Sequence, residues 1–361
     1  MTRMNSPPRS LKGRGALSNP PGRFETRAID AVDDGWYLEQ EPDSIATTLE
    51  PDKARGVITT NDSPDIPFDQ SINPYRGCEH ACVYCYARPS HAYLGLSPGL
   101  DFETRLFYKA DVATVLESEL ARPGYVCKPI MLGANTDPYQ PVEKRAKVTR
   151  SILEVLNRTR HPVAVITKSA LVVRDLDLLT DLARDNLVSV TLSVTTLDDE
   201  LKRKLEPRAA APAARVRTLA ALAAAGVPCG VMVAPVIPAI TDHEMERILE
   251  ACAAAGARWA GYVLLRLPYE VKDLFREWLA AHYPERAAHV MSLIHGMRGG
   301  RDNDPNFGSR MRGTGPYALL LRNRFRLACQ RLGLNSAGRG ALDTTRFAAP
   351  VPAGAQLRLE L

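Results

Sequence analysis

The chain has 361 residues, 45% of them hydrophobic and 24% charged, with a formal net charge of +5. That is ample apolar material for one large domain or two small ones and excludes wholesale disorder, while the mild positive charge permits an anionic partner without requiring one. No uninterrupted apolar run of about 18 residues occurs and the first residues lack the apolar stretch of a secretory signal, so no membrane span and a cytoplasmic location are expected.

Residues 1–69 read as an N-terminal extension. Its first 24 residues hold Arg3, Arg9, Lys12, Arg14 and Arg23 and no acid, among many Pro, Gly and Ser. Such a segment buries too little apolar surface to offset its ordering entropy, so a flexible, solvated tail over roughly the first 25 residues is expected, with contact to nucleic acid or substrate as the alternative.

Residues 70–282 alternate between two patterns. Short apolar, β-branched runs predict strands at Ile130–Ala134, Val163–Thr167, Val188–Val194, Val227–Ala234 and Gly261–Leu267, with another over Gln70–Arg76. Helical patterns lie between and after them, over 142–159, 174–185, 214–225, 242–255 and 270–282. Strand starts recur at the length of a βαβ unit, and continuous rather than alternating apolar strands imply a parallel sheet buried on both faces. An α/β fold follows, either a partial (β/α)6 TIM-like barrel or a doubly wound sheet, and in both the working face lies at the C-terminal strand ends. Residues 283–361 differ. Gly296–Gly315 holds six glycines with Arg298, Arg301, Arg310 and Arg312, either a phosphate cradle or a solvated flap. An Arg-rich helix over about 316–332 and a terminal tail follow.

The sharpest signal is Cys78-Glu-His-Ala-Cys82-Val-Tyr-Cys85, at the end of the first predicted barrel strand. Seven cysteines are an odd count and three of them fall within eight residues, a poor disulfide framework and a good soft-metal loop in a reducing compartment. Three thiolates on an iron–sulfur cluster leave one iron without a protein ligand, free to bind a small molecule. Zinc held by Cys78, His80, Cys82 and Cys85 is the alternative, although structural zinc usually takes two separated ligand pairs; three unrelated cysteines are the third reading. Cys127, Cys229, Cys252 and Cys329 read as structural thiols.

The C-x3-C-x2-C loop, with Tyr84 just before its third cysteine, resembles that of the radical S-adenosylmethionine (radical SAM) enzymes. Asn73–Arg88, Leu205-Glu-Pro-Arg208 and Ala234-Pro-Val-Ile-Pro238 resemble their spore-photolyase-like branch, and Arg88–Gly95 with Met311-Arg-Gly-Thr-Gly315 resemble a bacterial subgroup of it without an assigned function. The resemblance covers roughly 70–325. It implies a partial (β/α)6 barrel and a 4Fe-4S cluster on Cys78, Cys82 and Cys85. The open iron would chelate SAM, whose reductive cleavage gives a 5′-deoxyadenosyl radical that abstracts hydrogen from substrate. An electron donor of flavodoxin or ferredoxin type is implied as partner. The resemblance places SAM against the backbone of Tyr84 and against Asn135, Thr136, Asp137 and Ser193, with Arg208 on a carboxylate or phosphate. Beside these roles stand plainer ones: Asp137 shaping a turn, Ser193 a core hydroxyl, Lys168 a carboxylate contact or a salt-bridged lysine, Glu206 and Arg208 paired with each other. Pro235–Pro238 would wall the adenine, and Thr241 with Glu244 reads as a helix capping box.

Two alternatives remain. One is DNA repair like that of spore photolyase, but the hydrogen-donating cysteine of those enzymes falls where this chain reads Ala134-Asn-Thr136. The other is a non-catalytic, metal-containing nucleic-acid-binding protein, using the basic N-terminus and the Arg-rich 298–339 stretch. Neither substrate nor oligomeric state is legible.

Overall fold

The computed structural model describes residues 11–25, 44–336 and 340–350; Arg3, Arg9, Arg339 and the last part of the expected tail, 351–361, lie outside them. In chain order the strands are β1 (Thr48–Asp52), β2 (Ile58–Thr60), β3 (Gln70–Ile72), β4 (Tyr75–Arg76), β5 (Arg105–Lys109), β6 (Ile130–Leu132), β7 (Val163–Thr167), β8 (Val188–Ser193), β9 (Cys229–Val236) and β10 (Trp259–Leu264). Seven form one sheet in the order β10-β9-β8-β7-β6-β3-β2, in which β3 and β6 to β10 run parallel and β2 closes the edge antiparallel to β3. Every residue of β8 is buried, as an apolar strand covered on both faces should be. These six parallel strands with their crossover helices make the partial barrel that the sequence predicts. Among the described residues no helix is long and apolar enough to cross a membrane.

Three local expectations change. The predicted strand Gln70–Arg76 is two strands: β3 stays in the barrel, while β4 leaves to pair antiparallel with β5 in a small sheet of order β1-β5-β4. Pro74 lies between them and cannot donate to a ladder. The predicted helix 142–159 is broken at Lys147, which takes a left-handed conformation (φ 54°), giving Glu143–Ala146 and Val148–Arg158. The buried Glu143 carboxylate accepts from the backbone N–H of Thr149 at 3.1 Å and so caps the second helix. Last, Thr241 and Glu244 do not form a capping box. Thr241 Oγ1 accepts from Ile237 N at 2.8 Å, and Glu244 accepts from Thr196 Oγ1 at 2.5 Å and Leu197 N at 2.8 Å, which ties the connection after β8 to the one after β9.

The flanking segments pack onto the barrel. β1 and β2 join the two sheets, and the helix Gly315–Arg331 sets Phe325 against Tyr262 of β10, ring centres 4.7 Å apart. Arg298 is buried and donates to the carbonyls of Leu265, Ser309 and Arg310, so it holds the Gly/Arg-rich stretch closed rather than standing free for a phosphate.

Candidate functional site

The cysteine loop follows β4 and crosses the C-terminal mouth of the barrel. Gly77, at φ 77°, starts it: a Cβ there would stand 2.6 Å from Leu106 Cδ2 and 2.9 Å from the Phe102 carbonyl, so only glycine fits. The loop then winds through short turns, Ala81 N to Cys78 O at 3.3 Å and Cys85 N to Cys82 O at 3.2 Å. Cys78 and Cys82 are buried and Cys85 half-buried, and all three are free thiols. Burial pushes each thiol above its ordinary pKa. The Asp137 carboxylate raises Cys78 further, while the backbone amides of Ala87 and Arg88 favour the Cys85 thiolate.

Desolvated thiols of this kind become good ligands once a cation repays their deprotonation. Among the described residues no three His, Cys, Asp or Glu side chains gather closely enough to hold one metal ion. His80 turns instead to Asp137, Nδ1 to Oδ2 3.2 Å, outside hydrogen-bond alignment. A lone zinc on Cys78, Cys82, Cys85 and His80 therefore does not match, whereas a multi-iron cluster binds each thiolate to a different iron and needs them further apart. The donor set, three soft thiols and no fourth, fits a cluster with one open iron.

Arg88 locks the loop from behind. Its fully buried guanidinium donates to Cys82 O at 2.9 Å, to Pro98 O at 3.1 Å, to Gly99 O at 2.8 Å and to the Glu103 carboxylate. Glu103 also accepts from the backbone N–H of Gly15 at 3.0 Å and Ala16 at 2.8 Å. Gly15 passes so close that a Cβ would lie 2.0 Å from the Ala81 carbonyl oxygen. Buried Arg14 donates to Glu103 O at 3.0 Å and to Thr47 Oγ1 at 3.0 Å. The stretch expected as a solvated tail is thus, over residues 13–16, a strap across the cluster loop. Arg208 pairs with Glu79 at 2.7 Å rather than with Glu206, and its backbone N–H meets His80 O at 3.3 Å, so it braces the loop from its outer side.

Under the loop lies a polar floor built from the ends of β7, β8 and β9. Lys168 Nζ donates to Ser193 Oγ at 2.6 Å and to Ala234 O at 3.3 Å, and stands 3.6 Å from Glu206. Glu206, fully buried, accepts from Tyr84, from Arg215 and from Thr195 Oγ1 at 2.5 Å. Burial alone would raise its pKa, but the charges of Arg215 and Lys168 hold it well below the ordinary glutamate range. At Cys82 the Glu206 carboxylate adds to burial in raising the thiol's pKa, while Lys168 and Arg215 oppose it and favour the thiolate.

The second barrel strand ends in the expected acceptors, with different duties. Asn135 is exposed; Thr136 is buried and donates to Tyr75 O at 3.1 Å. Asp137 accepts from Thr167 Oγ1 at 2.6 Å, Lys168 N at 2.7 Å and Tyr139 N at 2.9 Å. Burial would raise the Asp137 pKa; His80 and these donors hold it below its usual value. Arg14, Glu103, Thr195 and Arg215 were not legible as site residues. Arg88 alone carried a signal, as the residue shared by the Asn73–Arg88 and Arg88–Gly95 runs that carry the resemblance.

The model of the Radical SAM superfamily matches residues 72–252. An uncharacterized protein of Mycobacterium tuberculosis is 41% identical over 230 residues, 63% of this chain and 68% of that one. A radical SAM Nalpha-GlyT isomerase of Pseudomonas phage M6 is 24% identical over 226 residues, covering 62% of this chain and 42% of that one. Among solved structures, spore photoproduct lyase complexed with dinucleoside spore photoproduct superposes with a TM-score of 0.55 over 79% of this chain and 80% of that one, at 16% identity, a likeness of fold.

Proposed function

Because this chain belongs to the radical SAM superfamily and is an enzyme, we propose that it binds a 4Fe-4S cluster through Cys78, Cys82 and Cys85 and cleaves SAM reductively to start hydrogen abstraction from an organic substrate. When bound, the cluster and SAM together supply a 5′-deoxyadenosyl radical. The observation that carries the reading is the set of three free, desolvated thiols in one loop at the C-terminal mouth of the barrel, above the Lys168–Glu206–Arg215 ion pairs.

The chain's own residues have separable tasks. Arg88, Glu103 and the strap over residues 13–16 hold the loop in register and keep water from its outer face. Lys168, Arg215 and Glu206 set the charge beneath it, with Glu206 fixing Tyr84 through its hydroxyl. For SAM, the exposed Asn135 side chain, the backbone of Tyr84 and the Ser193 hydroxyl are the contacts proposed. Thr136 and Asp137 shape the strand end that presents Asn135, and Arg208 acts through the loop it braces. A flavodoxin- or ferredoxin-type donor supplies the electron.

The test is anaerobic reconstitution with iron and sulfide, followed by iron analysis and chromatography for 5′-deoxyadenosine. Cys78→Ala, Cys82→Ala and Cys85→Ala should each lose the site-specific cluster and SAM cleavage. A variant that keeps full iron and full cleavage contradicts the assignment.

A further inference from the structure

Arg266 lies just past β10, at the same end of the barrel as the cysteine loop. Its guanidinium stands 5.5 Å from the ring centre of Tyr86, the residue after Cys85. Tyr86 in turn reaches across to donate its hydroxyl to the carbonyl of Ala134, just past β6. Arg266 is therefore held over the mouth, between the last barrel strand and the first two.

Arg88, Arg215 and Arg298 are buried and each meets several oxygen acceptors, whereas Arg266 is half-buried. Arg266 meets no oxygen acceptor among the described residues. Its Nε is buried without an acceptor, and Nη1 finds only the Met311 sulfur, at 3.8 Å. The nearby Arg310 is already engaged, by Asp65 Oδ2 at 2.5 Å and Ser63 Oγ at 2.6 Å. A partly desolvated guanidinium with only a ring face and a thioether beside it lacks an oxygen acceptor, and a planar fork of N–H groups fits two oxygens of one anion. Burial, and the like charge of Arg310, lower the Arg266 pKa, a strain that a bound anion relieves.

We propose that Arg266 anchors an oxyanion of the substrate, a carboxylate or a phosphate, at the barrel mouth. This rests on the mouth being the active site, and it narrows the substrate to an anionic molecule. The aromatic face of Tyr86, 47% exposed, gives the apolar wall beside that anchor.

The experiment uses the reconstituted full chain with SAM bound and phenylglyoxal as arginine reagent, read by peptide mass spectrometry. Arg266 should be protected by inorganic phosphate if the anchor takes phosphate, or by acetate if it takes carboxylate, while the exposed Arg301 stays reactive. Equilibrium dialysis with the protecting anion gives the second measurement: Arg266→Gln should weaken binding roughly tenfold or more, and Arg266→Lys less. Equal protection of Arg266 and Arg301, or dialysis unchanged in Arg266→Gln, overturns the proposal. Iron content and 5′-deoxyadenosine, measured on the same samples, report separately on the radical SAM reading.

Discussion

Replacing Glu103 by glutamine should unfasten the cluster loop from the N-terminal strap. Glu103 and Arg88 are both fully buried, and the same carboxylate accepts the backbone N–H groups of Gly15 and Ala16. Glutamine keeps the size and one acceptor oxygen but leaves the Arg88 charge buried without its counter-charge. Breaking one side of a buried pair costs about 3–5 kcal/mol, and the retained acceptor puts the expected loss near 3 kcal/mol. Urea unfolding of the iron-free protein under anaerobic conditions, followed by far-UV circular dichroism, measures it as a shift of midpoint at unchanged slope. Arg88→Met combined with Glu103→Gln should lose less than the two single changes together, because the second removes the charge that the first strands. A loss under about 1 kcal/mol, the value of a solvated pair, would refute the reasoning.

Gly15→Ala should lift the same strap without touching a charge, because its methyl group would fall 2.0 Å from the Ala81 carbonyl oxygen with backbone on both sides. Iron should then pass to a chelator several-fold faster than from the wild type; equal rates would contradict the contact. His161 offers a pH test. It is fully buried, with Nδ1 donating to Pro162 O at 3.0 Å and Nε2 accepting from Tyr125 at 2.8 Å, and burial lowers its pKa from 6.5 to about 4 against the pull of the Pro162 carbonyl. The unfolded chain takes a proton on this ring below about pH 6.5 and the folded chain does not until about pH 4, so stability falls as pH drops through that window, by about 3 kcal/mol in all. His161→Gln should flatten that part of the stability curve, and an unchanged slope would count against the buried neutral ring.

What the sequence shows and hides follows from the range of each interaction. The cysteine spacing, the buried strands such as Val188–Ser193 and the crossover helices are written in neighbouring residues, so they are legible. The β1-β5-β4 sheet is not, because β1 reads Thr-Leu-Glu-Pro-Asp, mostly exposed and without a strand's alternation. The strap is hidden for another reason. Arg14, Gly15 and Ala16 meet Glu103 across nearly ninety residues of chain, and nothing local distinguishes a solvated arginine from an anchoring one. Thr241 and Glu244 show the reverse error. Their spacing satisfies a local motif, yet both side chains have stronger partners in Ile237, Thr196 and Leu197. Arg215 lies in the first turns of an alanine-rich helix, two residues before a second arginine, Arg217, and only the fold brings it to Glu206.

Low-temperature EPR of the anaerobically reconstituted, dithionite-reduced protein, with and without SAM, tests the central claim most directly. The account predicts a reduced 4Fe-4S signal that changes when SAM is added, because the fourth iron has no protein ligand and takes SAM instead. A cluster signal indifferent to SAM, or stoichiometric zinc with no paramagnetic cluster, would contradict it.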